Sequence, residues 1–522
     1  MDAAPANAHD RAFFGHPKGL MTLFFTEMWE RFSFYGMRAF LVIYIATPIA
    51  NGGLGESKAT AGIIYAMYGS LVYLMSLPGG WLADRVLGQQ RAVIYGGVVI
   101  MAGHIVLALP THASFLPGLG LIILGTGLLK PNVSTIVGML YDKNDPRRDG
   151  GYSIYYMGIN VGAFIAPLAC GYLAQSAGFR GHLANWGIDP NYAWHFGFGA
   201  AAIGMGAGVI QFIVGKKDLH GAGAEPTPRP AVRTAQPMST LLVVVVAVAA
   251  AIITLFAIWR LSSGFTKEAI ADSFGVGLAT IGLAVFVIMH QVIAADASER
   301  ARVLAMAVLF VGCVAFFGLF EQAGSTLSFF AEDHTRRSVF GIDFPSSYWQ
   351  FVNAAWVIIL APIFTLLWVF LARRGKEPFS VNKFAIGMVI AGLAFVMLLP
   401  AIPAIDRGEK TSPLFLIVYY LFATTAEMCV SPVGLSVMNK LAPDRLASFV
   451  MGIWFLAISI GIYLAGRAEV EAGKLAHYLG WGTAGLFYLI MIFAGIVAVA
   501  LFAVAGPVRR MLEGLPQATV RK

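Results

Sequence analysis

"FFTEMWERFSFYGMRAF", residues 24–40, lies in the first long apolar stretch of the chain and still carries Glu27, Glu30, Arg31 and Arg38. At about 100° per residue, positions 27, 30, 31, 34, 35 and 38 fall within an arc of roughly 140°. The four charges therefore share one helix face with Phe34 and Tyr35. A charge at the centre of a bilayer is unfavourable by at least about 2.5–3.5 kcal/mol, so it is retained where it meets a cavity or a partner. The stretch predicts a membrane-spanning helix whose charged face is turned into the protein.

The rest of the chain agrees with that medium. Of 522 residues, 58% are hydrophobic and 12% charged, with a mean hydropathy of +0.73, whereas soluble domains carry about 25% charge. The apolar runs are long and lack the alternation of a barrel, which predicts an all-α integral membrane protein. Spans are expected near 22–48, 60–82, 92–110, 114–140, 152–176, 194–214, 238–260, 272–294, 303–330, 347–372, 383–402, 412–438, 447–466 and 482–506, fourteen helices in all. The stretch 216–237 is rich in Pro, Gly and charge and reads as a linker.

Most of the 36 Lys and Arg residues fall in the termini and in loops on the same side. This bias predicts cytoplasmic termini, and it makes the net charge of +8 a matter of topology and not of nucleic-acid binding. Clusters such as Lys143/Arg147/Arg148 and Arg373/Arg374/Lys376 read the same way. Cys170, Cys313 and Cys429 fall singly in apolar spans, as buried small hydrophobes would. No phosphate-loop, H-E-x-x-H or G-x-S-x-G pattern occurs, which argues against ATP drive and against an intramembrane enzyme.

Leu82-Ala83-Asp84-Arg85 is echoed by Leu371-Ala372-Arg373-Arg374. If the seventh and eighth spans are an insertion, both stretches join the second and third helices of a six-helix half. The expected organisation is a six-helix bundle over 20–215, a cytoplasmic linker over 216–237, two additional helices over 238–296 and a second six-helix bundle over 300–510.

Three further ionisable residues lie deep in spans: Lys130, Glu321 and Glu427. Lys130 sits in "LIILGTGLLKPNVST", where Gly125 and Gly127 allow close helix approach and Pro131 frees a carbonyl. Outside the Glu27/Glu30 pair, the amino half supplies only bases (Arg31, Arg38, Lys130) and the carboxyl half only acids (Glu321, Glu427). Two such walls across a low-dielectric cavity would complement a small zwitterion. The surplus of acids leaves one able to carry a proton.

Several motifs carry a family resemblance. Gly79 to Gly88, G-G-x-L-A-D-R-x-x-G, resembles the loop motif of the major facilitator superfamily, which implies a structural or gating role for Asp84 and Arg85. Residues 27–36 resemble the E-x-x-E-R-F-x-Y-Y-G signature of the proton-dependent oligopeptide transporter family. Tyr155-Tyr156-Met157-Gly158-Ile159-Asn160-Val161-Gly162 resembles its F-Y-x-x-I-N-x-G signature. Lys130-Pro131-Asn132, Phe320 to Ser325, and Glu427 with Ser431-Pro432-Val433-Gly434 add to the match.

This resemblance implies the major facilitator fold, with a central site and an extra helix pair between the halves as in prokaryotic members. Arg31 and Lys130 would hold a peptide carboxylate; Asn160, Asn353 and Glu427 would hold its amine. Glu27, Glu30, Arg31 and Glu321 would couple protons, and Arg38 with Glu321 would close the outer gate. Tyr35, Tyr65, Tyr68, Gln322, Ser431 and Trp454 would complete the substrate site. Phe34, Phe317 and Ala354 depart from the pattern, in places where members carry Tyr, Trp and Pro.

The implied function is proton-coupled symport of di- and tripeptides by alternating access, by a monomer in the cell inner membrane, with protons as the coupling ion, no other cofactor, no metal and no enzymatic activity. Transport of another small anion or amine, nitrate-like or drug-like, is the alternative on the same fold. A non-transporting receptor is a more distant one.

Overall fold

The structure, a computed structural model, describes residues 10–142, 145, 147–226, 266–294, 296–339, 341–442 and 447–513. Thirteen long helices run through them, labelled here α1 (Lys18–Ala46), α2 (Lys58–Leu74), α3 (Gln89–Leu107), α4 (Phe115–Met139), α5 (Arg148–Gln175), α6 (Ala193–Gly215), α7 (Lys267–Ile288), α8 (Ala297–Phe320), α9 (Phe351–Arg373), α10 (Ser380–Val396), α11 (Leu414–Leu441), α12 (Ala447–Tyr478) and α13 (Gly485–Glu513). Twelve of these are long and apolar enough to cross a membrane, and α1 joins them once its charged face is accounted for. All match expected spans. The expected span at 238–260, and the linker beyond residue 226, lie outside the described residues.

Sequence punctuation sets the helix starts. Ser57 accepts from the Thr60 N–H at the head of α2, and Asp296 accepts from the Glu299 N–H at 2.7 Å at the head of α8. Several turns were not legible in advance. A short helix, Ala177–Asn185, lies between α5 and α6, and α12 extends well past the expected end at 466. A two-stranded hairpin, Ser338–Val339 with Ile342–Asp343, precedes α9.

In the amino half, α1 packs on α5 and α6, α3 on α4 and α6, and α2 on α4 through its continuation Ser76–Leu82. In the carboxyl half, α8 packs on α11 and α12, and α10 on α11 and α13. The halves meet along α2 with α12 and along α5 with α9. The echoed loops occupy equivalent places. Ala83–Leu87 forms a wide turn ending at left-handed Gly88, and Arg374 turns into left-handed Gly375. Asp84 accepts a 2.8 Å hydrogen bond from Gln89 across that turn.

Without a hydrophobic drive between helices in lipid, small residues must let the backbones close. A Cβ on Gly125 would stand 2.6 Å from Gly96 O, and one on Gly127 2.6 Å from Met75 O. Gly158 and Gly162 do the same for α5 against α1: a Cβ on Gly158 would lie 2.8 Å from Phe24 O, and one on Gly162 3.0 Å from Arg31 Cβ. These contacts fix the depth and rotation of the charged face of α1. All three cysteines are buried and free.

Gly127→Ala should lower the melting temperature of the detergent-solubilised protein, because overpacking against backbone costs about 1–3 kcal/mol. Gly120→Ala, on the same helix with nothing within 4 Å of its Cβ, should not lower it. Equal melting of the two variants would contradict the packing described.

Candidate functional site

The charged face of α1 is buried throughout: Glu27 and Glu30 are 1% exposed and Arg31 is 2% exposed. Arg31 spreads its fork over its chain neighbour Glu30, with Nη2 2.5 Å from Oε1 and Nε on the other oxygen. The same Nε lies 3.4 Å from Glu27 Oε1, one turn earlier. The second Glu27 oxygen accepts a 2.7 Å hydrogen bond from the Tyr155 hydroxyl on α5. The Phe34 ring lies 4.9 Å from the Arg31 guanidinium carbon.

Two turns further along, Arg38 reaches the other half. Its Nη2 lies 2.6 Å from Glu321 Oε2, and the Tyr65 hydroxyl donates to the same oxygen at 3.3 Å. Glu321 is brought there by a break in the chain. Helix α8 ends at Phe320, and a tight turn, Glu321–Gly324, leads into Thr326–His334. Gly324 leaves room for the Tyr65 hydroxyl.

Other contacts close the same end of the molecule. Lys58 pairs with Asp333, Gln175 Nε2 donates to Ser346 Oγ at 3.1 Å, and the Ser347 N–H donates to Gln175 Oε1 at 3.1 Å.

Below this lock lies a cleft between the halves, lined by Tyr35, Arg38, Tyr156 and Asn160 on one side and by Phe320, Gln350, Asn353, Tyr419, Tyr420 and Glu427 on the other. The cleft is narrow here: its volume open to water is about 60 Å³. Asn353 donates to Thr424 Oγ1 at 2.9 Å and to Glu427 Oε2 at 3.4 Å. No cation pairs with Glu427 among the described residues, and no carboxylate pairs with Lys130. Lys130 instead places its ammonium 3.7 Å from the centroid of Tyr73 and 6.0 Å from that of Phe455, which comes from the opposite half.

The structure thus brings Tyr35, Arg38, Asn160, Asn353 and Glu427 around one space. Arg31, Tyr65, Tyr68 and Lys130 stand behind it in the amino half and do not line it. Gln322 requires a correction. Expected to bind substrate, it donates instead to the carbonyls of Gly318 and Ala465, both at 3.2 Å, and accepts from Thr326 Oγ1 at 2.5 Å. The break after α8 leaves carbonyls open, and the Gln322 amide satisfies one of them.

Trp454 does not line the cleft either; it is 4% exposed and fills the space left by Gly434. The hydroxyls of Tyr68 and Ser431 are buried with no hydrogen-bond partner among the described residues. Sequence reasoning missed Tyr155, Tyr73, Gln350, Thr424, Tyr419 and Tyr420. Tyr155 stood in a recognised motif without a role, and nothing in spacing joins Tyr73 to Lys130. Among the described residues no group of His, Cys, Asp or Glu could hold a metal ion.

Residues 90–469 match the family model described as the POT family. The chain belongs to the POT family. It is therefore a membrane transporter and not an enzyme. It is 41% identical to the uncharacterized transporter YclF of Bacillus subtilis, over 92% of this chain and 93% of that protein. It is 37% identical to the peptide transporter YePEPT of Yersinia enterocolitica, covering 96% of each. A crystal structure of a peptide transporter POT in complex with sulfate superposes with a TM-score of 0.81 at 40% identity, covering 96% of this chain and 97% of the other.

A double-mutant cycle on Arg38→Ala and Glu321→Ala should give a coupling of about 1–3 kcal/mol in thermal stability, since each single variant strands a buried charge. Additive losses would mean that the pair is not formed.

Proposed function

We propose that this protein is a proton-coupled symporter of di- and tripeptides that works by alternating access. The observation that carries this reading is a division of charge. Of the charges on the facing halves, Arg38 and Glu321 lock one end, while Lys130 and Glu427, from opposite halves, have no ion-pair partner among the described residues. In this reading a short zwitterion offers an amine to Glu427, Asn353 and Asn160, which line the cleft, and a carboxylate to Lys130 and Arg31, which do not line it here and are reached as the halves rock. Binding energy then comes from groups that every peptide shares, which suits a site indifferent to side chains. Relatives named as peptide and di-/tripeptide transporters support the same substrate class.

In this reading the Glu27/Glu30/Arg31 cluster and Glu321 carry the coupling proton, and no other cofactor is needed. Protonation of Glu321 removes the charge that holds Arg38, so that proton and peptide bias one two-state rocking motion. The six, two and six organisation of helices, with boundaries at 20–215, 238–296 and 300–510, belongs to this proposal. So do a monomeric state, a place in the cell inner membrane and cytoplasmic termini, the last supported by the distribution of Lys and Arg.

In proteoliposomes, labelled dialanine should accumulate only with an inwardly directed proton gradient. Glu321→Gln should abolish accumulation while counterflow exchange persists; uptake indifferent to the gradient would reject coupling. Glu427→Gln should weaken competition by free dipeptides at least tenfold more than competition by their N-acetylated forms. Equal losses for both would remove the amine role, and preferential uptake of an inorganic anion would favour the alternative substrate class.

A further inference from the structure

The two family signatures quoted above carry Tyr at the position of Phe34 and Phe at the position of Tyr155. In this chain the hydroxyl is absent from the first position and present at the second. Its new place is specific. The Tyr155 hydroxyl donates to Glu27 Oε2 at 2.7 Å, with Tyr155 7% and Glu27 1% exposed, so water does not compete for the bond. Close approach of α5 to α1 at Gly158 and Gly162, one and two turns along from Tyr155, sets this contact.

Resting on the reading of this cluster as the proton-coupling site, we infer that Tyr155 is a positioning residue for Glu27, holding its carboxylate in place beside Arg31 and setting how readily it takes up a proton. The geometry gives the reason. Arg31 commits its Nε–Nη2 edge to Glu30, and the same Nε reaches Glu27 only at 3.4 Å. The short hydrogen bond to Glu27 therefore comes from the neutral Tyr155, not from the guanidinium. Such a bond is stronger to an ionised carboxylate than to a neutral carboxyl group. The groups that act on Glu27 are Glu30 and Arg31 on its own helix, Tyr155 on α5 and Lys130 on α4. Replacing Tyr155 by Phe changes only one of them and restores the residue of the family signature.

Loss of the hydroxyl removes a preference for the ionised form, so Glu27 is protonated at higher pH. The pH for half-maximal proton-driven dialanine uptake by Tyr155→Phe should rise by roughly one unit. A second readout needs no peptide. In infrared difference titration of the purified full-length protein, the carboxyl C=O band that disappears in Glu27→Gln should titrate, and its midpoint should rise by roughly the same amount in Tyr155→Phe.

Uptake profiles and band midpoints that superimpose on the wild type would overturn the inference, as would the absence of any titrating band that depends on Glu27. A band that shifts in a protein that carries no peptide would leave the role of Tyr155 standing and remove the peptide-transport reading instead.

Discussion

The buried ion pair between Arg38 and Glu321 is the interaction on which the arrangement of the two halves depends. Both side chains are less than a tenth exposed, and each belongs to a different half. In a low-dielectric interior neither charge can be left alone without a penalty of several kcal/mol, so each half supplies what the other cannot do without. The pair is not a way to gain stability, since apolar packing would do as well or better. A buried pair of this kind gives way only when one partner is neutralised or offered a competing charge. Lys58 with Asp333, half-exposed at the rim, adds little by comparison.

The other buried charges divide according to how their cost is met. Arg31 is satisfied within its own helix, although adjacent residues of a helix do not ordinarily face one another. The base of its side chain is packed against α5 at Gly162. Lys130 has no carboxylate partner among the described residues but sits over the face of Tyr73, and a desolvated cation on an aromatic ring recovers about 2 kcal/mol. That compensation is partial and leaves the ammonium's hydrogen-bonding capacity open to an anion. Among the described residues, Glu427 is likewise met by the amide of Asn353 and by no cation. The cluster thus grades from fully paired to nearly unpaired along one path through the protein.

The thirteen described helices and the inward face of α1 were legible because hydrophobicity is long-range and redundant in a membrane protein. Displacing one residue does not move a span. The pairing of Arg38 with Glu321 was legible through family resemblance, and the opposite signs of the two halves through simple sorting. Gln322 was misread because its role follows from an interruption of α8 that apolar composition conceals: "FFGLFEQAGST" looks like a continuous span. Trp454 carries the residue type of a pocket wall, and only the close approach at Gly434 shows that it is filling. Tyr155 was hidden for the opposite reason, since in its motif an aromatic ring was expected and only the hydroxyl is informative.

The inserted helix α7 shows the same weighing of strong against weak contacts. Toward the carboxyl half, the Tyr463 hydroxyl donates to Ala271 O at 2.9 Å over Gly275, and Arg467, on α12, holds Asp272 at 2.8 Å. Phe286 meets Phe310 edge to face at 5.0 Å. Toward the amino half, the ion pair formed by α7 is Lys267 with Glu56 at 2.6 Å, with side chains 55% and 35% exposed. A pair so open to water is worth less than about 1 kcal/mol. Buried aromatic packing and a buried hydroxyl on one side outweigh a screened surface pair on the other. In polar contacts α7 therefore favours the carboxyl half, while its backbone packs on α2 of the amino half as well as on α12.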